Sequence, residues 1–379
     1  MNKQLYICCI KQISKNLKKQ IMKRRDFISK SISAGVVAGA GFPLITNAEQ
    51  AVSNAGTIPE VRQGPRGKMK VGLYSITYLG CWYKDRPLTW QEVLQRAKDF
   101  GFDGVEFDAK RPHANPMDWT QDIRKAVVNR AGELGLDLPA LSANNNFACP
   151  TPENREAELL MVKEQIKLAA DLGCKVLRVF AAWPGITFRD GWANYDEPRK
   201  QWDACWPGIP KLIRWNYMVE CMKEAAKIAG DHGVVLALQN HAPLVGTWQE
   251  CLKVIKEVDS PHLKMCFDLP PVEDNKENIT NALNTIGHLD VHFHYNGEME
   301  RMSNGKVTVI PSFGYPSINN YGFLIKELAR IGYNGYLCFE YCHCAIDEKG
   351  QPGTLKWVDE QTKMALEYMR GLVADAEKA

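Results

Sequence analysis

A single (β/α)8 barrel is the fold this sequence predicts, on three observations. From Met69 onward, short apolar runs alternate with amphipathic stretches, the rhythm of parallel strands joined by crossover helices. A glycine usually stands between a helix and the next strand, where it takes the left-handed conformation cheaply. This unit is visible in Arg96 to Phe107 (RAKDFGFDGVEF), Leu168 to Phe180, Ala225 to Asn240 and Leu328 to Glu340. The apolar runs number eight, which closes a barrel, and no GxGxxG turn follows any of them, which argues against a dinucleotide-binding sheet.

The strands are expected at Lys70 to Ser75, Gly104 to Asp108, Leu138 to Ser142, Val176 to Phe180, Val234 to Asn240, Leu263 to Phe267, Asp290 to His294 and Tyr336 to Glu340. The helices between them are expected at Trp90 to Phe100, Gln121 to Leu134, Pro152 to Leu172, Leu212 to His232, Trp248 to Val258, Lys276 to Ile286, Ile318 to Ile331 and Leu355 to Val373. One connection is unusually long. Between Phe180 and Leu212 lie Trp183, Phe188, Trp192, Tyr195, Trp202 and Trp206, on the loop that leaves the C-terminal end of the fourth strand. Barrel active sites lie on that face, so this loop reads either as an aromatic wall that stacks on sugar rings, with Trp183 nearest the strand, or as a lid or oligomer contact with its own small core.

Ahead of the barrel, residues 1–48 read as an upstream segment and export signal, and residues 49–68 as a linker or arm leading into the catalytic domain at 69–379. Lys23, Arg24, Arg25, Asp26, Phe27 and Ile28 resemble the twin-arginine export pattern, and the apolar run Ile32 to Ile45 behind them is too short to span a bilayer. With Met22 as the start and cleavage after Ala48, the mature protein is expected in the periplasm with no membrane segment. Lys and Arg number 47 against 44 acids, and much of the excess sits in the first thirty residues, so no electrostatic nucleic-acid footprint is expected. The 12 Cys form no CxxC ladder: Cys8 and Cys9 lie in the upstream segment, the rest are scattered singly apart from Cys342 and Cys344 around His343, and most are expected as buried free thiols, with room for one or two disulfides after export.

Chemistry concentrates at the last residues of the late strands. The fifth ends in Gln239, Asn240 and His241, the sixth in Asp268, the seventh in His292 and His294, and the eighth in Glu340. Carboxylates and an imidazole gathered at one mouth make a hard, mixed O/N site suited to Mn2+, Mg2+, Co2+ or Zn2+. A lone Asp after a strand is more often a helix cap, and a lone His more often a core residue; four consecutive strand ends carrying such groups favour a cation.

The stretches Phe100 to Phe107 (FGFDGVEF), Gln239 to His241, Cys266 to Leu269 (CFDL), Val291 to Glu298 (VHFHYNGE) and Gly332 to Glu340 (GYNGYLCFE) resemble the sugar phosphate isomerase/epimerase superfamily of xylose-isomerase-like barrels. The resemblance covers nearly everything from Met69 to Val373. In its keto-sugar 3-epimerases a metal is held by Glu, Asp, His and Glu, and the two Glu exchange protons with substrate. Carried over, these positions are Gln239, Asp268, His294 and Glu340, and Arg301 stands near an Arg that contacts substrate. The fifth-strand position departs from the pattern, because a neutral amide can coordinate a cation but cannot act as a base. The His that such epimerases place after the sixth-strand Asp is also missing.

Glu340 is therefore expected as the base, with His241 or Glu106 as the second acid or base, and with His113, Trp183, Asn240 and Arg301 on the substrate. The resemblance implies a metal-dependent isomerase, epimerase or lyase that abstracts a proton next to the carbonyl of a free or oxidised sugar. A non-catalytic periplasmic sugar-binding module is the alternative. An endonuclease on the same barrel is disfavoured, since its three zinc ions need more ligands than 8 His supply. The partner expected is a small carbohydrate, and a homo-oligomer is compatible with the aromatic loop.

Overall fold

The computed structural model describes residues 68–189, 192–195, 197–200, 208–268, 275–310, 320–347 and 350–378. The export signal, all of the arm but Lys68, the proposed break after Ala48, and Trp202 and Trp206 lie outside the described residues. Eight parallel strands close into a barrel. They are β1 (Lys70–Tyr74), β2 (Gly104–Asp108), β3 (Ala140–Ser142) and β4 (Val176–Val179), then, after the hairpin β5 (Thr187–Arg189) and β6 (Trp192–Asn194), β7 (Val235–Gln239), β8 (Leu263–Asp268) and β9 (Asp290–Tyr295). A second hairpin, β10 (Glu298–Arg301) and β11 (Val307–Ile310), precedes the closing strand β12 (Tyr336–Phe339). The helices are α1 (Trp90–Phe100), α2 (Gln121–Leu134), α3 (Pro152–Asp171), α4 (Lys211–Asp231), α5 (Trp248–Val258), α6 (Lys276–Ile286), α7 (Tyr321–Arg330) and α8 (Leu355–Glu377).

Local signals fix the boundaries. Thr89 and Glu92 form a reciprocal capping box at the start of α1, and Gly101 ends it at φ 94°, a conformation that would strain any side chain. Thr247 caps α5, whose buried Cys251, Val254, Ile255 and Val258 follow the 3.6-residue period onto the barrel. The two hairpins were not expected. Glu298–Arg301 carries two acids and an arginine, and only Met299 of its four residues is buried, so its strand character comes from pairing with Val307–Ile310 rather than from an apolar face.

Register decides what points inward. Asp268 pairs with His294, His294 with Cys338, Cys338 with Gly72, and Gly72 with Gly104. Side chains alternate along a strand, so residues two apart share a face. His292 and His294, Cys338 and Glu340, Glu106 and Asp108 therefore face the same interior. Ser142 pairs with Asp108 and Arg178 with Ser142, which extends that polar interior around the barrel. The alternate residues Phe107, Phe267, Phe293 and Phe339 turn the other way, into the apolar layer between strands and helices, and are fully buried. The nine described cysteines are all free thiols, so no disulfide forms among the described residues.

Candidate metal centre and active site

Four side chains from consecutive barrel strands meet at the mouth. Gln239 ends β7, Asp268 ends β8, His294 lies near the end of β9, and Glu340 follows β12; all four are buried. The Gln239 Nε2 donates to Asp268 Oδ2 at 2.8 Å, which leaves Gln239 Oε1 and Asp268 Oδ1 without a hydrogen-bond partner among the described residues. The Nδ1 of His294 is also unpartnered, and it lies 3.7 Å from Glu340 Oε2. Buried polar atoms are nearly always satisfied, so three orphans around one spot mark a place where a further group belongs. Amide oxygen, carboxylate oxygens and imidazole nitrogen form a donor set that fits a divalent cation.

The supports of this site are unequal. Asn240 does not reach toward substrate. Its Oδ1 accepts from the Asp268 backbone N–H at 2.9 Å and its Nδ2 donates to the Asp268 carbonyl at 2.9 Å, a two-point clamp that locks Asp268. Glu340 Oε1 accepts from Asn296 Nδ2 at 3.3 Å, and Asn296 is itself held through its backbone N–H by the Tyr321 hydroxyl. Burial and the neighbouring Glu340 push the Asp268 carboxyl well above the usual carboxylate range.

Glu106 occupies a different place from the one expected. It lies in the middle of β2, one turn of the pleat before Asp108, and is fully buried below the mouth. It accepts from Ser142 Oγ, from His292 Nε2 at 2.8 Å and from His294 Nε2 at 2.9 Å. Burial alone would raise it, but the imidazoles of His294 and His292 outweigh burial and hold it well below the usual range. A carboxylate so enclosed cannot reach a substrate, which removes it from the acid/base candidates.

Two further expectations are corrected. His113 is buried and fully engaged, with Nδ1 3.0 Å from Ser75 Oγ and Nε2 3.0 Å from the Leu88 carbonyl, and its ring meets Phe107 edge-on. Burial lowers it to about 4, so it is a neutral strut between loops rather than a substrate contact. Arg301 lies on the β10–β11 hairpin and forms a bidentate pair with Glu367 of α8 at 2.7 and 2.9 Å, so its guanidinium is committed to an outer helix.

His241 and Trp183 do come together. Trp183 stacks on Phe180 at 4.9 Å and meets His241 and Tyr195 edge-on at 5.0 and 5.8 Å, while Trp82 stacks on Tyr195 at 5.5 Å. His241 Nδ1 lies 2.6 Å from the Ala242 carbonyl, so Nδ1 carries the proton and Nε2 the lone pair. Burial and the nearby Arg178 and Arg199 hold it down to about 4, and it is neutral at ordinary pH. Of the other loop aromatics, Phe188 is exposed, and the side chain of Trp192 is outside the described residues.

Sequence reading missed Arg178 and Tyr74. Arg178, buried on β4, donates to the Tyr74 hydroxyl at 2.6 Å, to Ser142 Oγ at 3.1 Å and to the Ala143 carbonyl at 2.7 Å, and lies 4.1 Å over the Phe180 ring. Tyr74 in turn donates to Asp108 at 2.9 Å and stacks on His294 at 5.1 Å. The signal that was available is the charge itself, since an arginine inside the apolar run Val176 to Val179 needs a partner.

The sequence profile of the xylose isomerase-like TIM barrel family matches residues 94–364. The chain belongs to that family. It is 24% identical over 284 residues to D-psicose 3-epimerase of Ruminiclostridium cellulolyticum, covering 72% of this chain and 83% of that protein. It is 33% identical over 200 residues to an L-ribulose-5-phosphate 3-epimerase of Escherichia coli, covering 50% and 63%. Among solved structures, D-psicose 3-epimerase from Clostridium cellulolyticum H10 superposes with a TM-score of 0.59 at 22% identity, over 80% of this chain and 99% of that one. The 3-keto-D-glucoside 4-epimerase of E. coli superposes with a TM-score of 0.56 at 18% identity, over 82% and 100%. This family member is an isomerase/epimerase-like enzyme.

Proposed function

We propose that this enzyme moves a proton at the carbon next to the carbonyl of a free or oxidised sugar, assisted by one divalent cation held by Gln239, Asp268, His294 and Glu340. The observation that carries this reading is the convergence of Gln239 Oε1, Asp268 Oδ1 and His294 Nδ1, all unpartnered, beside the Glu340 carboxylate. A cation there would polarise the sugar carbonyl and acidify the adjacent C–H. Glu340, steadied by Asn296, takes that proton. Gln239 cannot mirror it, because an amide has no basic lone pair at working pH. The opposite face is served by His241, whose Nε2 lone pair is fixed by the Nδ1 contact to Ala242 and whose ring borders Trp183. One carboxylate base and one neutral imidazole suit isomerisation or β-elimination better than a symmetric epimerisation. Reaction of a panel of keto-sugars and 3-keto-glycosides with and without Mn2+, read by mass spectrometry and chromatography, tests this. Full conversion in the presence of a chelator would reject the role of the cation.

Gln239→Glu should retain the cation and bind it more tightly, since it adds a charge to the donor set. At a pH alkaline enough to ionise Asp268, the cation-free variant should melt lower than wild type, because a hydrogen bond to Asp268 becomes a pair of like charges. Paired melting curves with EDTA and with Mn2+ check both; a variant that melts as wild type in EDTA would show that residue 239 does not face Asp268.

The raised Asp268 carboxyl sets a pH dependence. Its protonated form favours the folded, cation-free state, so that contribution is fully present below the ordinary carboxylate range and is lost as pH rises through the elevated value. A cation displaces the proton, so affinity should rise with pH over the same window. The gap in Tm between Mn2+-loaded and EDTA-treated protein should therefore widen from acid toward mildly alkaline pH. A gap independent of pH would contradict a protonated Asp268.

A further inference from the structure

Beneath the mouth, one carboxylate gathers side chains from three other strands, β3, β9 and β12. Glu106 receives the Ser142 hydroxyl, His292 Nε2 and His294 Nε2, and Cys338 Sγ lies close enough that Glu106, His292 and Cys338 offer ligand atoms within 4.8 Å of one another. Ser142 Oγ accepts from Arg178 Nε at 3.1 Å, so its own proton is directed to Glu106. The same Arg178 holds the Tyr74 hydroxyl, and the Tyr74 ring lies 5.1 Å from that of His294 at an interplanar angle of 18°. His294 is thus gripped on a face and at one nitrogen, both by groups anchored to Arg178.

We propose that Glu106 is a positioning residue: it keeps the proton of His294 on Nε2 and so presents the Nδ1 lone pair, 3.7 Å from Glu340, to the cation. The inference rests on the cation site proposed above and adds a residue that never touches substrate. A carboxylate only accepts, so a ring nitrogen bonded to it carries hydrogen, and the other nitrogen is left bare. Outer carboxylates of this kind typically contribute about 10- to 100-fold to metal affinity. The competing reading of the cluster, a second cation between Glu106, His292 and Cys338, would have to strip Glu106 of the bonds from Ser142 and both imidazoles.

The test uses the full chain. In cation-free wild type, at a pH alkaline enough to leave the ring neutral, 15N spectra of labelled histidine side chains should show His294, assigned by loss of its signals in His294→Gln, as the Nε2–H tautomer. Mn2+ titration should give one site, and Glu106→Gln should weaken it about 10- to 100-fold, because an amide leaves one acceptor oxygen for three donors. Ser142→Ala, which spares both imidazoles, should weaken it less. An Nδ1–H tautomer in wild type overturns the proposal even if Glu106→Gln fails to fold. Unchanged Mn2+ affinity in a folded Glu106→Gln also overturns it, as does a second cation lost on Cys338→Ser. A wild type that binds no Mn2+ yet shows the Nε2–H tautomer would instead reject the cation site and leave the orientation of His294 standing.

Discussion

Glu340→Gln is expected to lower kcat/KM by about 10²- to 10⁴-fold while the protein still folds and still binds Mn2+. The substitution keeps shape and one oxygen donor, and the contact with Asn296 survives, so the change isolates the loss of a base. Gln239 cannot take over, since it is already an amide, and Glu106 is enclosed by Ser142, His292 and His294 below the mouth. His241 alone is neutral and reaches only through its Nε2. Steady-state kinetics on the best substrate of the panel, with metal content measured on the same samples, give the comparison. Wild-type turnover in a metal-loaded Glu340→Gln would remove Glu340 from the chemistry, and a non-catalytic sugar-binding module would likewise be indifferent to it.

Asp268→Ala combined with His294→Ala should abolish cation binding. The pair supplies two of the three orphaned atoms, and the remaining amide oxygen and Glu340 make too poor a set to hold a hard cation. Elemental analysis after purification without chelator should find metal in wild type and none in the double variant. The variant should also lose the stabilisation that wild type gains from added Mn2+, about 2.7 kcal/mol at a hundredfold excess over Kd. A fully loaded double variant would mean that the cation sits elsewhere.

Much of the fold was legible because the strands read as short apolar runs, although Glu106, Arg178 and His292 interrupt them on the interior face, and because glycines mark the turns. Four helices, Trp90–Phe100, Gln121–Leu134, Trp248–Val258 and Lys276–Ile286, begin and end where capping and periodicity place them. The strand-end groups Gln239, Asp268, His294 and Glu340 could be listed from sequence because position along a strand and alternation are local properties. What each does depends on partners far along the chain. Arg178 meets Tyr74 across 104 residues, and Glu106 meets His294 across 188, distances over which periodicity is silent. His113 and Asn240 were assigned by residue type and position, and Arg301 by the family resemblance; each proved to be occupied by a nearby loop, backbone or helix. Nothing in the sequence distinguishes a histidine that binds substrate from one that ties Ser75 to Leu88.

Solvent deuterium tests the central claim most directly, because proton abstraction next to a carbonyl leaves a label that other chemistry does not. Incubated in D2O with Mn2+ and a converted keto-sugar, wild type should yield product carrying deuterium at the carbon that exchanged its proton, and both the label and the conversion should disappear with chelator or in Glu340→Gln. Product that forms at the wild-type rate under either of those conditions, or that forms with no solvent deuterium next to the carbonyl, would contradict cation-assisted proton transfer at Glu340.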